Sequence, residues 1–147
     1  MDKLVLKSPA KLNLYLDVLR KRPDGYHDIE TLFEKVALFD IITLRPLGKG
    51  IRITTDHPGA PADRRNLAYK AARLLFDRTG FKQGLWIDIK KRIPVAGGMG
   101  GGSSNAAAVL TGANRLLGLG QGREELLDMA GRIGADVPFF LHESSFC

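Results

Sequence analysis

Pro94-Val-Ala-Gly-Gly-Met-Gly-Gly-Gly-Ser-Ser104 decides the reading of this chain: five of the six residues from Gly97 to Gly102 carry no side chain, and the run leads straight into an alanine-rich stretch. Successive glycines let backbone N–H groups turn toward one anion. A helix starting here adds its unpaired first-turn N–H groups and the positive end of its dipole. The expectation is a phosphate cradle formed by Pro94, Val95, Ala96, Gly97, Gly98, Met99, Gly100, Gly101 and Gly102, with Ser103 and Ser104 adding hydroxyl donors. Two better-known glycine motifs fail on these residues. Gly97 and Gly102 have the P-loop spacing, but Ser103 stands where that motif needs lysine. The dinucleotide fingerprint, started at Gly98 or at Gly100, meets Ser103 or Asn105 where it needs its third glycine. No Gly-x-Ser-x-Gly elbow surrounds Ser103 or Ser104. From the glycines alone, the competing reading is a flexible loop with a serine cap on the next helix.

Working outward, Leu85, Ile87 and Ile89 alternate with Trp86, Asp88 and Lys90, which predicts a strand delivering the chain to Pro94. Beyond the glycines, Ala106, Val109, Leu110 and Ala113 share one face of a predicted helix, and a second helix from about Arg123 to Ile133 turns Leu126, Leu127, Ala130 and Ile133 inward before Gly134 stops it. Asn66 is the predicted N-cap of a helix with Leu67, Ala71, Leu74 and Leu75 on its core face, ending near Gly80. The loop from Asp56 to Arg65 reads as exposed and turn-rich. At the N-terminus, Leu12, Leu14, Leu16 and Val18 alternate with Lys11, Asn13, Tyr15 and Asp17, giving a strand with an apolar face and a polar face that carries Lys11 and Asn13. Arg22-Pro-Asp-Gly25 is a tight turn, and the apolar stretches around Phe33 and from Val36 to Leu44 predict further antiparallel strands, continued by Ile51 and Ile53.

The 147 residues fit one domain, and folding at this size buries about 68–70% of the unfolded surface, so neither a disulfide nor a metal is needed. Cys147 is the only cysteine, which excludes a disulfide scaffold and favours a reducing compartment. His27, His57 and His142 lack partners at zinc-ligand spacing, so no protein-held metal is expected. No apolar run reaches membrane-span length and no signal-peptide core follows Met1; the expectation is a cytoplasmic protein without a membrane partner. The formal charge of +6 suits nucleic acid or a polyphosphate site. Its distribution favours the latter: no carboxylate occurs between Asp88 and Glu124, while Lys90, Lys91, Arg92, Arg115 and Arg123 do. Taken alone, Lys90 to Arg92 read as a solvated strand end.

Three stretches together, Ser8-Pro-Ala-Lys-Leu-Asn-Leu14, the Pro94–Ser104 loop running into Asn105-Ala-Ala107, and Gly134-Ala-Asp-Val-Pro-Phe-Phe140, resemble the GHMP superfamily of small-molecule kinases. Arg22-Pro-Asp-Gly-Tyr-His-Asp28 followed by Glu30-Thr-Leu-Phe33 narrows the resemblance to the branch that phosphorylates the 2-hydroxyl of 4-diphosphocytidyl-2-C-methyl-D-erythritol in the non-mevalonate isoprenoid pathway. The resemblance implies an α/β (α+β) domain with a mostly antiparallel sheet packed against helices. It implies ATP as co-substrate with Mg²⁺, Lys11 and Asp136 as the catalytic pair, Asn13 orienting the substrate, Tyr26 and His27 holding the cytosine ring, and Asn66 and Leu67 lining the adenine pocket. Physically, an attacking hydroxyl must lose its proton, which a carboxylate accepts while an ammonium stabilises developing charge. Singly, Lys11 reads as a solvated charge, Asp136 as a turn former and Tyr26-His27 as hairpin surface.

Members of the superfamily carry a second, C-terminal domain with another glycine-rich motif, so residues 1–147 are expected to be a truncated N-terminal, ATP-binding domain. Glu143-Ser-Ser145 departs from the glycine-rich continuation, and Met99 replaces the usual leucine at conserved volume. Apolar faces left open predict self-association, in the simplest case a homodimer. The alternatives are another GHMP kinase of mevalonate or homoserine type, a non-catalytic fragment, or a basic nucleic-acid-binding module built on Lys90–Arg92 and Arg115.

Overall fold

The structure, a computed structural model, describes the backbone of residues 2–21 and 27–142, and the side-chain surroundings of residues 2–12 and 37–141. Strands β1 (Leu4–Lys21), β2 (His27–Leu47), β3 (Ile51–Thr55) and β4 (Gly84–Lys90) form one sheet in the order β1-β2-β4-β3. The β1–β2 and β2–β4 pairings are antiparallel, and β3 runs parallel to β4. Four helices follow: α1 (Leu67–Thr79), α2 (Gly101–Leu116), α3 (Arg123–Ile133) and α4 (Val137–His142). The fold class is therefore the expected α+β arrangement. The stretch expected to break into several strands is one continuous β2. The predicted turn at Arg22–Gly25 and Tyr26 lie outside the described residues.

Alternation explains the sheet's inner face. Leu6 of β1, Ile42 and Leu44 of β2, and Leu85, Ile87 and Ile89 of β4 are all buried. α2 lies on β1 and β2 with Ala106, Val109, Leu110 and Ala113 inward, as its periodicity predicts, while α1 covers β3 and β4. α1 begins at Asn66, whose side chain accepts a hydrogen bond from the Ala68 N–H, and ends at Gly80 in the left-handed region. Its buried residues are Ala68, Ala71, Ala72, Leu75 and Phe76, with Leu67 and Leu74 only partly buried. The core face is thus turned from the expected one, because the small Ala68 and Ala72 let α1 sit close to its neighbours. On α3, Met129 joins Ala130 as fully buried, while Leu126, Leu127 and Ile133 are partly covered.

The expected polar and apolar faces of β1 exchange at one point. Lys11 is buried and Leu12 is 41% exposed. The cause is a register shift between Pro9 and Lys11 against β2. Two residue steps of β1, from Pro9 to Lys11, are matched by four of β2, from Phe39 to Lys35, so regular pairing breaks there; Ala10 and Lys11 both face inward and the alternation restarts one residue out of phase.

Gly112 sets how near α2 lies to the sheet: a Cβ there would stand 2.5 Å from Leu6 Cδ1 and 2.8 Å from Leu44 Cδ1. Gly112→Val is expected to lower stability by about 1–3 kcal/mol through overpacking. At Gly131 of α3 a Cβ meets nothing within 4 Å, so Gly131→Ala should instead raise stability by about 0.4–1 kcal/mol. Urea unfolding of the two variants checks both signs. A second expectation concerns pH. Asp128 of α3 accepts hydrogen bonds from Arg78 of α1 at 2.7 Å and from Arg132 at 3.2 Å, which hold its carboxyl below the ordinary 3.8. Such a group stabilises the fold above its unfolded pKa, and the contribution disappears as pH falls through the lowered value. Asp128→Asn should therefore be less stable than wild type near neutrality, with the gap closing below about pH 4 in melting curves.

Candidate functional site

The glycine loop connects the end of β4 to α2, as expected. Three left-handed positions shape it, at Ala96 (φ 61), Gly98 (φ 73) and Gly100 (φ 70). Gly100 occupies the N-cap of α2 without a side-chain hydrogen bond, and no acidic residue lies in the first turn. The Ser104 N–H closes on the Gly100 carbonyl at 2.8 Å, so the N–H groups of Gly101, Gly102 and Ser103 precede the helix's own ladder and suit an anion. The loop is fastened to β1 by the Lys11 N–H, which donates to the Met99 carbonyl at 2.9 Å.

Absent side chains matter at particular positions. A Cβ on Gly100 would lie 3.0 Å from Phe140 Cζ and 3.1 Å from Lys11 Cε, and one on Gly101 would lie 3.1 Å from Ile93 Cγ2 and 3.2 Å from Lys91 Nζ. These two glycines allow the loop to close over the residues beneath it. Gly102 is exposed, and a Cβ there would make only an ordinary contact with Leu67, so its bareness leaves the approach from solvent open.

A cleft of about 340 Å³ lies over the loop, with Asn66 and Leu67 on one wall. Every predicted cradle residue from Pro94 to Ser103 lines it. Ser104 does not: it is 1% exposed, and its hydroxyl accepts a hydrogen bond from Ser8 Oγ at 2.8 Å, which points its side chain into the interior. The Asn66 side chain is committed to the fold, capping α1 and donating to the Pro61 carbonyl at 2.8 Å. A larger cleft of about 670 Å³ runs along β3 past Arg64 and Tyr69. It holds neither the helix N-terminus nor any of the predicted residues, whereas the smaller one is lined by the predicted phosphate loop but not by Lys11 or Asp136.

Lys11 and Asp136 come together from opposite ends of the chain. Lys11 Nζ stands 3.9 Å from Asp136 Oδ2, with the lysine side chain 6% exposed and the aspartate 47%. The β1 irregularity brings Lys11 inward, and Asp136 sits immediately before α4, whose Phe140 packs beside Gly100. A separation of 3.9 Å is an ion pair rather than a tight hydrogen bond, and an oxygen of a third group can contact both. Asn13 lies on β1 opposite Phe33 and His27 on β2 opposite Lys21, but their side chains, like Tyr26, fall outside the description.

Sequence reasoning missed the polar cluster under the loop. Lys91, expected at a solvated strand end, has a side chain 5% exposed and paired at 2.6 Å with Asp40, which is fully buried. Asn105 and Ser8 complete the cluster. A signal was present: Asp40 shares the inward period of Ile42 and Leu44, where an unpaired carboxylate would be costly. Among the described residues, no group of three or more His, Cys, Asp or Glu side chains is placed to hold a metal ion, and no helix is long and apolar enough to cross a membrane.

The profile of the family described as GHMP kinases N terminal domain matches residues 66–144, a span that includes the glycine loop and Asp136. The chain belongs to the GHMP kinase family. It is 49% identical over 142 residues to a 4-diphosphocytidyl-2-C-methyl-D-erythritol kinase of Geobacter metallireducens, covering 96% of this chain and 50% of the relative. It is 48% identical to the kinase of the same name from Caldicellulosiruptor saccharolyticus, covering 94% and 48%. A crystal structure of 4-(cytidine 5'-diphospho)-2C-methyl-D-erythritol kinase superposes with TM-score 0.81 at 40% identity, over 95% of this chain and 49% of that one. The homoserine kinase of Cytophaga hutchinsonii shares the fold, with TM-score 0.70 at 24% identity over 99% of this chain and 44% of its own. The chain thus spans about half the length of the curated relatives it matches.

The geometry of this GHMP kinase loop makes one substitution diagnostic. Gly100→Ala puts a side chain at φ 70 and within 3.1 Å of Lys11. A loss of stability of about 1–2 kcal/mol is expected from the left-handed backbone alone. Chemical denaturation measures it, and an unchanged midpoint would mean that the loop relaxes freely.

Proposed function

We propose that this chain is the N-terminal, ATP-binding domain of a kinase that transfers the γ-phosphoryl group of ATP to the 2-hydroxyl of 4-diphosphocytidyl-2-C-methyl-D-erythritol, in the non-mevalonate route to isoprenoid precursors. The observation that carries the proposal is the Lys11–Asp136 pair, drawn together beside a glycine loop that opens a helix. The names and identities of the relatives support the substrate.

In this reading the first-turn N–H groups of α2 and the loop amides bind the triphosphate of ATP, with Leu67 and the backbone at Asn66 beside the adenine. The substrate hydroxyl lies between Lys11 and Asp136. The carboxylate takes its proton as the oxygen attacks phosphorus, and the ammonium stabilises charge on the oxygens. Lys11 is buried while Asp136 is half exposed, so water reaches the pair from the carboxylate side and screens it in part. Asn13 orients the methylerythritol, and Tyr26 and His27 hold the cytosine. Mg²⁺ would come with the nucleotide and be held chiefly by phosphates and water, with Asp136 able to contribute a carboxylate oxygen, in keeping with the ion's reluctance to dehydrate fully. The protein acts in the cytoplasm, apart from membranes and nucleic acid, and self-associates as a homodimer, which sedimentation across concentration would read. Burial of Lys91 beneath the loop, paired with Asp40, takes it off the open surface that a nucleic acid would contact.

Calorimetric titration tests the reading. Mg·ATP is expected to bind saturably to the chain, and Gly100→Val, folded by circular dichroism, to weaken it by roughly 100-fold or more, the scale of losing several charge-assisted hydrogen bonds. Asp136→Asn should lower radiolabelled phosphoryl transfer to the cytidine diphosphate substrate by about 10²–10⁴-fold while weakening Mg·ATP binding far less than Gly100→Val does. A folded wild-type chain that binds neither ATP nor that substrate would end the proposal.

A further inference from the structure

One buried carboxylate lies beneath the glycine loop and touches the segments at both of its ends. Asp40 of β2 is fully buried. Its Oδ1 accepts from the Arg92 N–H at 2.6 Å and the Ile93 N–H at 2.9 Å, the two residues just before Pro94. Its Oδ2 accepts from Lys91 Nζ at 2.6 Å and from Asn105 Nδ2 at 3.0 Å, the latter in the second turn of α2. Asn105 also donates to Ser8 Oγ on β1 at 2.8 Å, and Ser8 donates to Ser104. Both ends of the loop and two strands therefore converge on one side chain.

The charge balance is specific as well. Lys91 Nζ lies 3.2 Å from where a side chain on Gly101 would begin, at the positive end of the α2 dipole, and no acidic residue occupies that first turn. An ammonium buried there is unfavourable unless an anion compensates it, and Asp40 is that anion. A buried ion pair is often replaceable by apolar side chains without loss of stability, so a four-bonded carboxylate at this place is better explained by what it holds still than by what it adds to the fold. The P-loop lysine that the sequence lacks at Ser103 has a counterpart here, supplied from the opposite end of the loop, since Lys91 also lines the cleft.

We propose that Asp40 is the positioning residue of the anion site: through Lys91 and the amides of Arg92 and Ile93 it holds the glycine loop and the start of α2 in their anion-binding form, and keeps the Lys91 ammonium under the bound phosphates. The identity of the anion rests on the kinase reading; the holding of the loop does not.

Amide exchange followed by NMR on the whole chain tests this at two reporters that do not touch Asp40, the Lys11 N–H bonded to Met99 and the Ser104 N–H bonded to Gly100. In Asp40→Asn both are expected to exchange about tenfold faster or more, while Leu75 in α1 and Ala130 in α3 keep wild-type rates, the signature of local rather than global opening. Asp40→Asn/Lys91→Met removes both charges and leaves no unpaired buried cation, so it serves if the single variant does not fold; the same local change is expected. Unchanged reporters in the folded variants, or acceleration spread equally over α1 and α3, would overturn the inference. Affinity for inorganic tripolyphosphate, read by calorimetry, should fall about tenfold with the reporters. If the wild-type chain binds no ATP, yet Asp40→Asn shows the local change, the kinase reading is overturned and the positioning role stands; ATP binding by wild type with unmoved reporters in the variant does the reverse.

Discussion

The close approach of α2 to the sheet is the constraint on which the rest of the structure depends. Gly112 has no side chain where Leu6 and Leu44 press in, and Ala106 and Ala113 keep the same face shallow. With the helix axis this near β1 and β2, its N-terminus has no room for bulky residues against Lys11, Ile93 and Lys91. Gly100 and Gly101 follow from that distance. The glycine loop is thus a packing solution as well as a candidate anion site, and the same bareness that lets it close over Lys11 leaves first-turn N–H groups outside the helix's own hydrogen-bond ladder.

Lys11 shows how a small backbone irregularity changes chemistry. On a regular strand it would sit on the face opposite Ala10 and reach water. The break in pairing with β2 near Ala10 turns it inward, its own N–H ties to Met99, and its ammonium comes within 3.9 Å of Asp136. A lysine so placed is buried along its length and meets a half-exposed carboxylate at ion-pair distance. The burial of Lys11 and its pairing with Asp136 therefore share one cause.

Below the loop, polar groups are satisfied with few to spare. Among the described residues, no buried side-chain nitrogen or oxygen lacks a hydrogen-bond partner. The chain of contacts from Ser8 through Asn105 to Asp40 and Lys91 joins β1, β2, the end of β4 and α2. Such a network is stiff because each member fixes its neighbour's orientation, and a group left unpaired at this depth would be expensive. Stiffness under a loop of glycines offsets the conformational freedom that those glycines bring.

Local patterning was enough for much of this protein. The period of Leu85, Ile87 and Ile89, the helical spacing of Ala106 to Ala113, the Asn66 and Gly80 caps, and the glycine run all report interactions within a few residues, and each appears where the sequence places it. The motifs around Lys11, the loop and Asp136 also pointed to the family to which the chain belongs. What local pattern could not carry was anything decided by the meeting of distant segments. Only the tertiary structure turned Lys11 inward, rotated the core face of α1, sent the Ser104 hydroxyl to Ser8, and joined Lys91 to Asp40 across 51 positions. A residue's period reports which face of its own element it occupies, whereas its partner, its burial and its charge environment depend on which other element arrives there.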